Sequence, residues 1–191
     1  MSGGMHSRGV SLAEVMVVVA MLAILAVLAA PQFTDAVREA RLTSQINQLV
    51  FALNLARSEA VKRAGAVTVC PSANGTACAN DGRWEAGWIV FADTDADQSV
   101  DADEAVLQRM DPLREGFTLR ASSAFGGAVT FDAKGTTPVA GNFILCADAD
   151  IREARAVGVQ RVGRIRRGGD ADKDGQPDAL DGTEITSCTD P

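Results

Sequence analysis

Between Val10 and Ala30 the chain is apolar apart from two residues, Ser11 and Glu14. A helix of about 20 apolar residues is long enough to cross a lipid bilayer, so the pattern predicts a transmembrane helix over residues 10–30. Glu14 is the only charged residue in this run. A carboxylate in hydrocarbon costs about 2.5–3.5 kcal/mol on insertion scales, and we therefore expect Glu14 to have a partner or a function.

Helical periodicity continues beyond Pro31. Apolar residues recur at spacings of four and three, which places them on one face of an amphipathic helix over residues 31–64. They are Leu42, Ile46, Leu49, Leu53, Ala56 and Ala60. Charged and polar residues, Gln45 among them, fall largely outside this stripe. Strong helix formers resume directly after Pro31, so we expect that proline to kink the helix rather than end it.

From Ala66 onward the period changes to that of short strands. Seven β-rich runs are separated by turns that contain Gly, Pro, Asp and Asn. They cover residues 67–70, 87–91, 105–109, 117–120, 128–131, 142–146 and 156–159. We predict an α+β chain in which these runs form antiparallel sheets around one core, within a β-rich domain over residues 65–191.

Composition adds a redox prediction. The chain has a net charge of −7, which argues against nucleic-acid binding by bulk electrostatics. It also has four cysteines. Four cysteines in an exported chain suggest two disulfides, with three pairings open. The favoured pairing joins Cys70 to Cys78, which closes a polar loop, and Cys146 to Cys188, which ties the tail to a strand. A zinc site is the alternative, but the sequence lacks any CxxC spacing and its single histidine is His6.

The scarcity of histidine also argues against an enzyme. Beyond His6 no Ser-His-Asp or Cys-His arrangement can form. The many carboxylates cluster in loops rather than in an apolar pocket that would separate their pKa values. We therefore predict no catalytic residues.

The residues that precede the apolar run carry a family resemblance. The sequence Arg8-Gly9-Val10-Ser11-Leu12-Ala13-Glu14 resembles the class III leader junction of type IV pilins and type II secretion pseudopilins. The resemblance implies that prepilin peptidase removes residues 1–9 after Gly9 and that Val10 becomes an N-methylated N-terminus. It also implies that Glu14, the fifth mature residue, pairs with the terminal amine of a neighbouring subunit. Relatives usually begin with Phe rather than Val.

Two simpler interpretations of this region are a signal peptide and a plain signal anchor. The small residues at Leu28-Ala29-Ala30 are followed by Pro31, which disfavours cleavage by signal peptidase. A plain anchor explains neither Glu14 nor the junction at Gly9.

A second resemblance covers most of the chain, from Gly9 to about Arg166. The stretch Ser58-Glu59-Ala60-Val61-Lys62-Arg63, then Cys70-Pro71, then Trp84 to Asp93 is similar to the GspH/FimT (FimU-like) minor pilins and pseudopilins. This implies the pilin fold, in which a long N-terminal helix packs on an antiparallel β-sheet domain. It further implies a single-pass inner-membrane protein with a periplasmic domain. Such a protein assembles with other pilin subunits and primes or caps a type IV pilus or a type II secretion pseudopilus.

Two acidic loops have calcium-ligand spacing, although no cofactor is expected to be required. In the first loop, the ligand positions 1, 3, 5, 9 and 12 of an EF-hand-like calcium loop are occupied by Asp93, Asp95, Asp97, Asp101 and Glu104. Gln98 replaces the usual glycine there. The second loop keeps its glycine at Gly175 and is the stronger candidate, with the ligands Asp170, Asp172, Asp174, Asp178 and Asp181. A solvated acidic tail is the alternative interpretation of the second loop.

Between the acidic loops lies a basic segment from Arg152 to Arg167, with six arginines and one acid. Gly163-Arg164-Ile165-Arg166 resembles the GRxR segment with which FimT-type competence pilins hold DNA for natural transformation. The resemblance implies DNA binding through Arg161, Arg164, Arg166 and Arg167, with phosphate contacts along one strand face. Alternatively, these arginines pair with the neighbouring acidic loops. The low aromatic content argues against base stacking.

Overall fold

A computed structural model describes residues 11–79, 81–169, 176–179, 182 and 184–189. The first element is a single helix, α1, from Leu12 to Arg63, and it continues through Pro31 as expected. Ser11 caps its start, because the Ser11 Oγ accepts a hydrogen bond from the Glu14 backbone N–H at 3.2 Å. The chain divides into two compact units, with the boundary between Arg41 and Leu42. In the part of the chain described here, no helix combines the length and hydropathy that a membrane crossing needs.

The described residues of the second unit form eight strands in two sheets, and all the pairings of these strands are antiparallel, as predicted. The strands are β1 (Val67–Pro71), β2 (Trp88–Ala92), β3 (Val106–Met110), β4 (Phe117–Ala121), β5 (Val129–Phe131), β6 (Gly141–Ala147), β7 (Asp150–Val159) and β8 (Ile165–Arg167). Sheet A has the order β3-β2-β1-β5, and sheet B has the order β4-β6-β7-β8. The predicted run at 156–159 is the end of a ten-residue strand, and β8 was missed.

The main core lies between the second half of α1 and the inner faces of both sheets. All six residues of the predicted stripe, from Leu42 to Ala60, are buried in it. Alternate residues of the strands complete this core, among them Trp88 and Val90 of β2 and Phe143 and Leu145 of β6. The placement of Gln45 outside the apolar face is wrong, since the structure leaves only 7% of that residue exposed.

The outer face of each sheet is covered as well, which explains why the central strand β2 and most of β6 are apolar on both faces. On sheet A, Ile89 and Phe91 pack with Cys70, whose disulfide partner Cys78 contacts the same cluster. On sheet B, the C-terminal tail lays Ala179 and Ile185 against Ile144, Cys146 and two alanines of β7. The Cys146–Cys188 disulfide fixes the tail there. Both disulfides of the favoured pairing are therefore present.

Candidate assembly, nucleic-acid and metal sites

The first half of α1 presents apolar side chains that its own unit does not cover. Exposure ranges from 48% at Val15 to 80% at Leu12. The set comprises Leu12, Val15, Met16, Val17, Val18, Val19, Met21, Leu22, Ile24 and Leu25. Such a continuous apolar surface marks a site of contact with lipid or with other chains.

Glu14 lies in the first turn of this helix, at the end where backbone N–H groups favour an acid. Its side chain is exposed, and within the described residues it accepts no hydrogen bond and forms no salt bridge. Ser11 and Glu14 have the spacing of a capping box, but the side-chain bond from Glu14 back to Ser11 is not formed. The carboxylate is thus available to a partner outside this chain. Gly9 and Val10, the predicted processing residues, lie outside the described residues.

The predicted DNA-binding arginines lie on the hairpin that joins β7 to β8. Arg161 is in the turn, Arg164 directly precedes β8, and Arg166 and Arg167 are in β8. All four side chains are exposed, and none forms a salt bridge or side-chain hydrogen bond within the described part of the chain. Arg166 lies opposite Gly158 in the register, so no side chain covers it from the neighbouring strand.

Gly163 holds this hairpin in place. Its φ of +72° belongs to the left-handed region, and a Cβ added there would lie 1.7 Å from the carbonyl oxygen of Gly135. The turn is further fixed to the β5–β6 loop by the Thr137 N–H, which donates to the Arg161 carbonyl at 2.9 Å. From α1, the Arg57 guanidinium donates to the carbonyl oxygens of Gly135 at 3.1 Å and Val162 at 3.4 Å. The glycine of the GRIR segment is therefore required by packing.

The loop between β2 and β3 gathers three carboxylates. One carboxylate oxygen from each of Asp93, Asp95 and Asp97 lies within 4.8 Å of the others. Asp93 directly follows β2 and is fully buried, whereas Asp95 and Asp97 are exposed. Glu104 does not join them, because its Oε1 accepts from the Thr94 N–H at 2.6 Å and its Oε2 from the Asp101 N–H at 3.1 Å. Of the five residues with calcium-ligand spacing, three converge.

The crowding of these acids shows in their pKa values. Burial raises the pKa of Asp93, although a hydrogen bond from Thr68 opposes that shift. The negative charge of Asp97 raises the pKa of Asp101. Burial also acts to raise the pKa of Glu104, but hydrogen bonds from Asp101 and Thr94 outweigh it, so that the pKa is lowered. The acids of this loop therefore lie close enough together for one carboxylate to change the pKa of another.

The second acidic loop is described only in part. Asp170, Asp172, Asp174 and Asp181 lie outside the described residues. Asp178 forms an isolated antiparallel bridge with Glu184, and its N–H donates to the Gly169 carbonyl at 2.7 Å. Its convergence with the other four carboxylates stays a prediction.

A family model described as "Type II transport protein GspH" matches residues 45–163. The chain belongs to this family. The matched region runs from the second half of α1 to the turn before β8, and it contains the first acidic loop but not the second. The membership in the minor pilin and pseudopilin group that the sequence predicted is confirmed.

Two solved structures are similar to this GspH-family chain in fold. Both are crystal structures of the type IV minor pilin FimU of Pseudomonas aeruginosa, in space groups P21 and P65. The first has 24% sequence identity and a TM-score of 0.59, and the match covers 79% of this chain and 97% of FimU. The second has 24% identity and a TM-score of 0.56, with 77% and 99% covered. No curated protein matches the sequence.

The geometry of this GspH-family member includes features that the sequence pattern did not reveal. Nothing in the sequence pairs Asp93 with Thr68, which is 25 residues away, or Arg57 with the turn at Val162. One signal was available for Asp93, since an acid that directly follows the apolar run Trp88–Ala92 is poorly placed for solvent. Arg57 carried no such signal, because helix arginines are ordinarily solvated.

Proposed function

We propose that this protein is a structural subunit of a periplasmic filament, a type IV pilus or a type II secretion pseudopilus. The observation that carries the proposal is the apolar surface of α1 between Leu12 and Leu25, which needs lipid before assembly and neighbouring helices afterwards. The apolar sequence from Val10 to Ala30 supports insertion in the inner membrane, and the two disulfides support an oxidising periplasmic location for the β domain.

Processing is part of the same proposal. Prepilin peptidase cuts after Gly9, and the new N-terminus at Val10 is N-methylated. Mass spectrometry of the mature chain tests this directly: the expected N-terminal peptide begins with N-methylated Val10. A mature chain that still contains residues 1–9, or that begins after Ala30, would contradict it.

Glu14 is the residue that we propose to register subunits in the filament. Its carboxylate has no partner in the described chain, and the positive terminal amine of a neighbour would neutralise it once the helices are bundled. A buried charge that loses its partner costs about 3–5 kcal/mol, which is large compared with the cost of a surface change.

The variant Glu14→Gln tests this role. We expect it to reach the membrane fraction at the wild-type level, because the amide is cheaper to place in lipid than the carboxylate. Its recovery in sheared filaments should fall by about tenfold or more. Glu115→Gln, which changes an exposed acid in the β domain, is the matched control and should assemble normally. Normal assembly of Glu14→Gln would refute the registration role.

Within the filament we propose that the subunit primes or caps rather than forms the shaft. An epitope tag in the exposed β6–β7 turn at Ala149 is expected to label filament ends in electron micrographs. Uniform labelling along the filament would contradict this position.

DNA capture for uptake is the second candidate function. It is favoured by the four exposed arginines of the β7–β8 hairpin, whose side chains have no partner within the described residues. Clustered arginines bind phosphates locally even in an acidic protein, because screening limits charge effects to about 10 Å at 0.1 M salt.

The salt dependence of duplex DNA retention by the purified full chain distinguishes this candidate. Each phosphate contact contributes about 0.9 to the slope of log affinity against log salt. Arg164→Gln/Arg166→Gln should therefore lower the slope by about 2, whereas Arg41→Gln/Arg114→Gln, which removes two exposed arginines elsewhere, should leave it unchanged. Equal slopes in all three proteins would eliminate DNA binding at this hairpin.

A further inference from the structure

Asp93 has an environment that a buried carboxylate rarely has. It is 0% exposed, on the outer face of sheet A beside Thr68 and Thr130. One oxygen, Oδ2, accepts hydrogen bonds from Thr68 Oγ1 at 2.5 Å and from the Gln98 N–H at 3.3 Å. The other, Oδ1, is buried and accepts none within the described residues. Buried polar atoms are nearly always satisfied, so this oxygen is suited to bind a ligand.

Two further carboxylates converge on Asp93. One carboxylate oxygen of Asp93 lies within 4.8 Å of one carboxylate oxygen each from Asp95 and Asp97. Calcium binds oxygen at 2.3–2.6 Å, so two ligand atoms on one ion lie at most about 5 Å apart. We propose that Asp93, Asp95 and Asp97 bind a calcium ion at the start of the β2–β3 loop.

The donor set selects the class of ion. All three ligands are carboxylates, without a histidine or cysteine, which favours a hard cation over zinc or copper. Between Asp93 and Glu104 the chain has six acids and no Lys or Arg. None of the salt bridges among the described residues involves these acids, so no Lys or Arg of that part of the chain pairs with them. Calcium suits an irregular loop, because it accepts six to eight oxygens in varied geometry, whereas magnesium requires a near-ideal octahedron.

The loop already has the curvature that such a site needs. Gln98 replaces the glycine that usually makes the sharp turn, yet it has a left-handed φ of +67°. Its side chain donates to Thr130 Oγ1 at 3.3 Å, which fastens the turn to β5. Glu104 closes the far end of the loop through Thr94 and Asp101. The three aspartates are therefore held together before any ion binds, and an ion would fasten the loop to sheet A.

Calorimetry and thermal unfolding of the purified full chain, freed of metal with a chelator, test the site. We expect CaCl₂ to bind with a Kd of about 10⁻⁴–10⁻³ M, the range of extracellular sites, and 5 mM CaCl₂ to raise the Tm by about 3–6 °C. Asp95→Asn/Asp97→Asn changes only exposed residues and should fold normally, but its Tm should rise less with calcium than that of the wild type.

Two controls make the result specific to this loop. Asp111→Asn/Glu115→Gln removes two exposed acids elsewhere and should keep the full calcium response. Asp172→Asn/Asp174→Asn removes two predicted ligands of the second loop and so isolates the first; the calcium response that this variant keeps should disappear when Asp95→Asn/Asp97→Asn is added. The proposal is overturned if wild-type protein shows no binding at 10 mM CaCl₂ or if Asp95→Asn/Asp97→Asn responds like the wild type. A response to MgCl₂ as strong as that to CaCl₂ would overturn the choice of calcium.

Discussion

At the scale of single residues, the same side-chain type serves different purposes according to what surrounds it. Gly163 and Gly126 both adopt a positive φ, of +72° and +62°. A Cβ at Gly126 would meet no atom within 4 Å, whereas at Gly163 it would overlap the Gly135 carbonyl. Gly126 is thus needed only for its backbone angle, and Gly163 also for close packing under the arginine hairpin.

Substitution of these two glycines separates the two requirements. Gly126→Ala should lower the free energy of unfolding by about 1 kcal/mol, the usual cost of a left-handed residue with a Cβ. Gly163→Ala should cost about 3 kcal/mol or more, because the backbone of one loop must also move. Urea denaturation of the two variants measures the difference. Equal losses would show that the close approach at Gly163 is not energetically important.

At the scale of elements, each sheet buries both faces, and each outer face is closed by a disulfide-linked segment. The Cys70–Cys78 bond spans eight residues and holds a short loop over sheet A. The Cys146–Cys188 bond spans 42 residues and holds the tail over sheet B. A disulfide mainly restricts the unfolded chain, so the longer loop should give the larger stabilisation.

This argument predicts an order of stability for two double variants. Cys70→Ala/Cys78→Ala should lose about 2.5 kcal/mol in the free energy of unfolding, and Cys146→Ala/Cys188→Ala about 4 kcal/mol. The comparison is well matched, because Cys70 and Cys146 are equally buried. Denaturation curves give both values. The reverse order would show that loop length does not set the stabilisation that these two disulfides give.

At the scale of the whole molecule, the chain contains two units with opposite surface character. The unit from Leu42 onward has its own core, built from the second half of α1 and two sheets. The unit before it presents apolar side chains outward. The unit from Leu42 onward is suited to fold independently, whereas the apolar surface of the unit before it is suited to be covered by lipid or by other chains.

Truncation tests this division. A fragment that begins at Asp35 should be soluble and monomeric and should unfold cooperatively, since every residue of the main core is retained. The full chain should require detergent, because its apolar helix surface stays exposed in water. Light scattering and thermal unfolding measure both properties. A fragment that aggregates or melts without cooperativity would show that the first unit contributes to folding.

The sequence alone determined the features that depend on near neighbours. The helix, its buried stripe, seven of the eight strands and their antiparallel arrangement follow from periodicity, because side chains three and four apart share a helix face and alternate residues share a strand face. Strand β8 was missed because three residues, two of them arginines, carry no apolar period. The burial of Gln45 was missed because the helix packs against two sheets, so its buried face is wider than one stripe.

Only the tertiary structure decided which distant residues meet. It brought Thr68 to Asp93, and it placed carboxylate oxygens of Asp93, Asp95 and Asp97 within 4.8 Å of one another. Glu104 instead accepts a hydrogen bond from the backbone of its own loop. It also made Gly163 a packing residue by placing Gly135 against it. Spacing along a chain constrains contacts within a few residues, whereas contacts across many residues depend on how the sheets and the helix pack. The apolar helix and Glu14 could therefore be found by inspection, while the proposed calcium site required the fold.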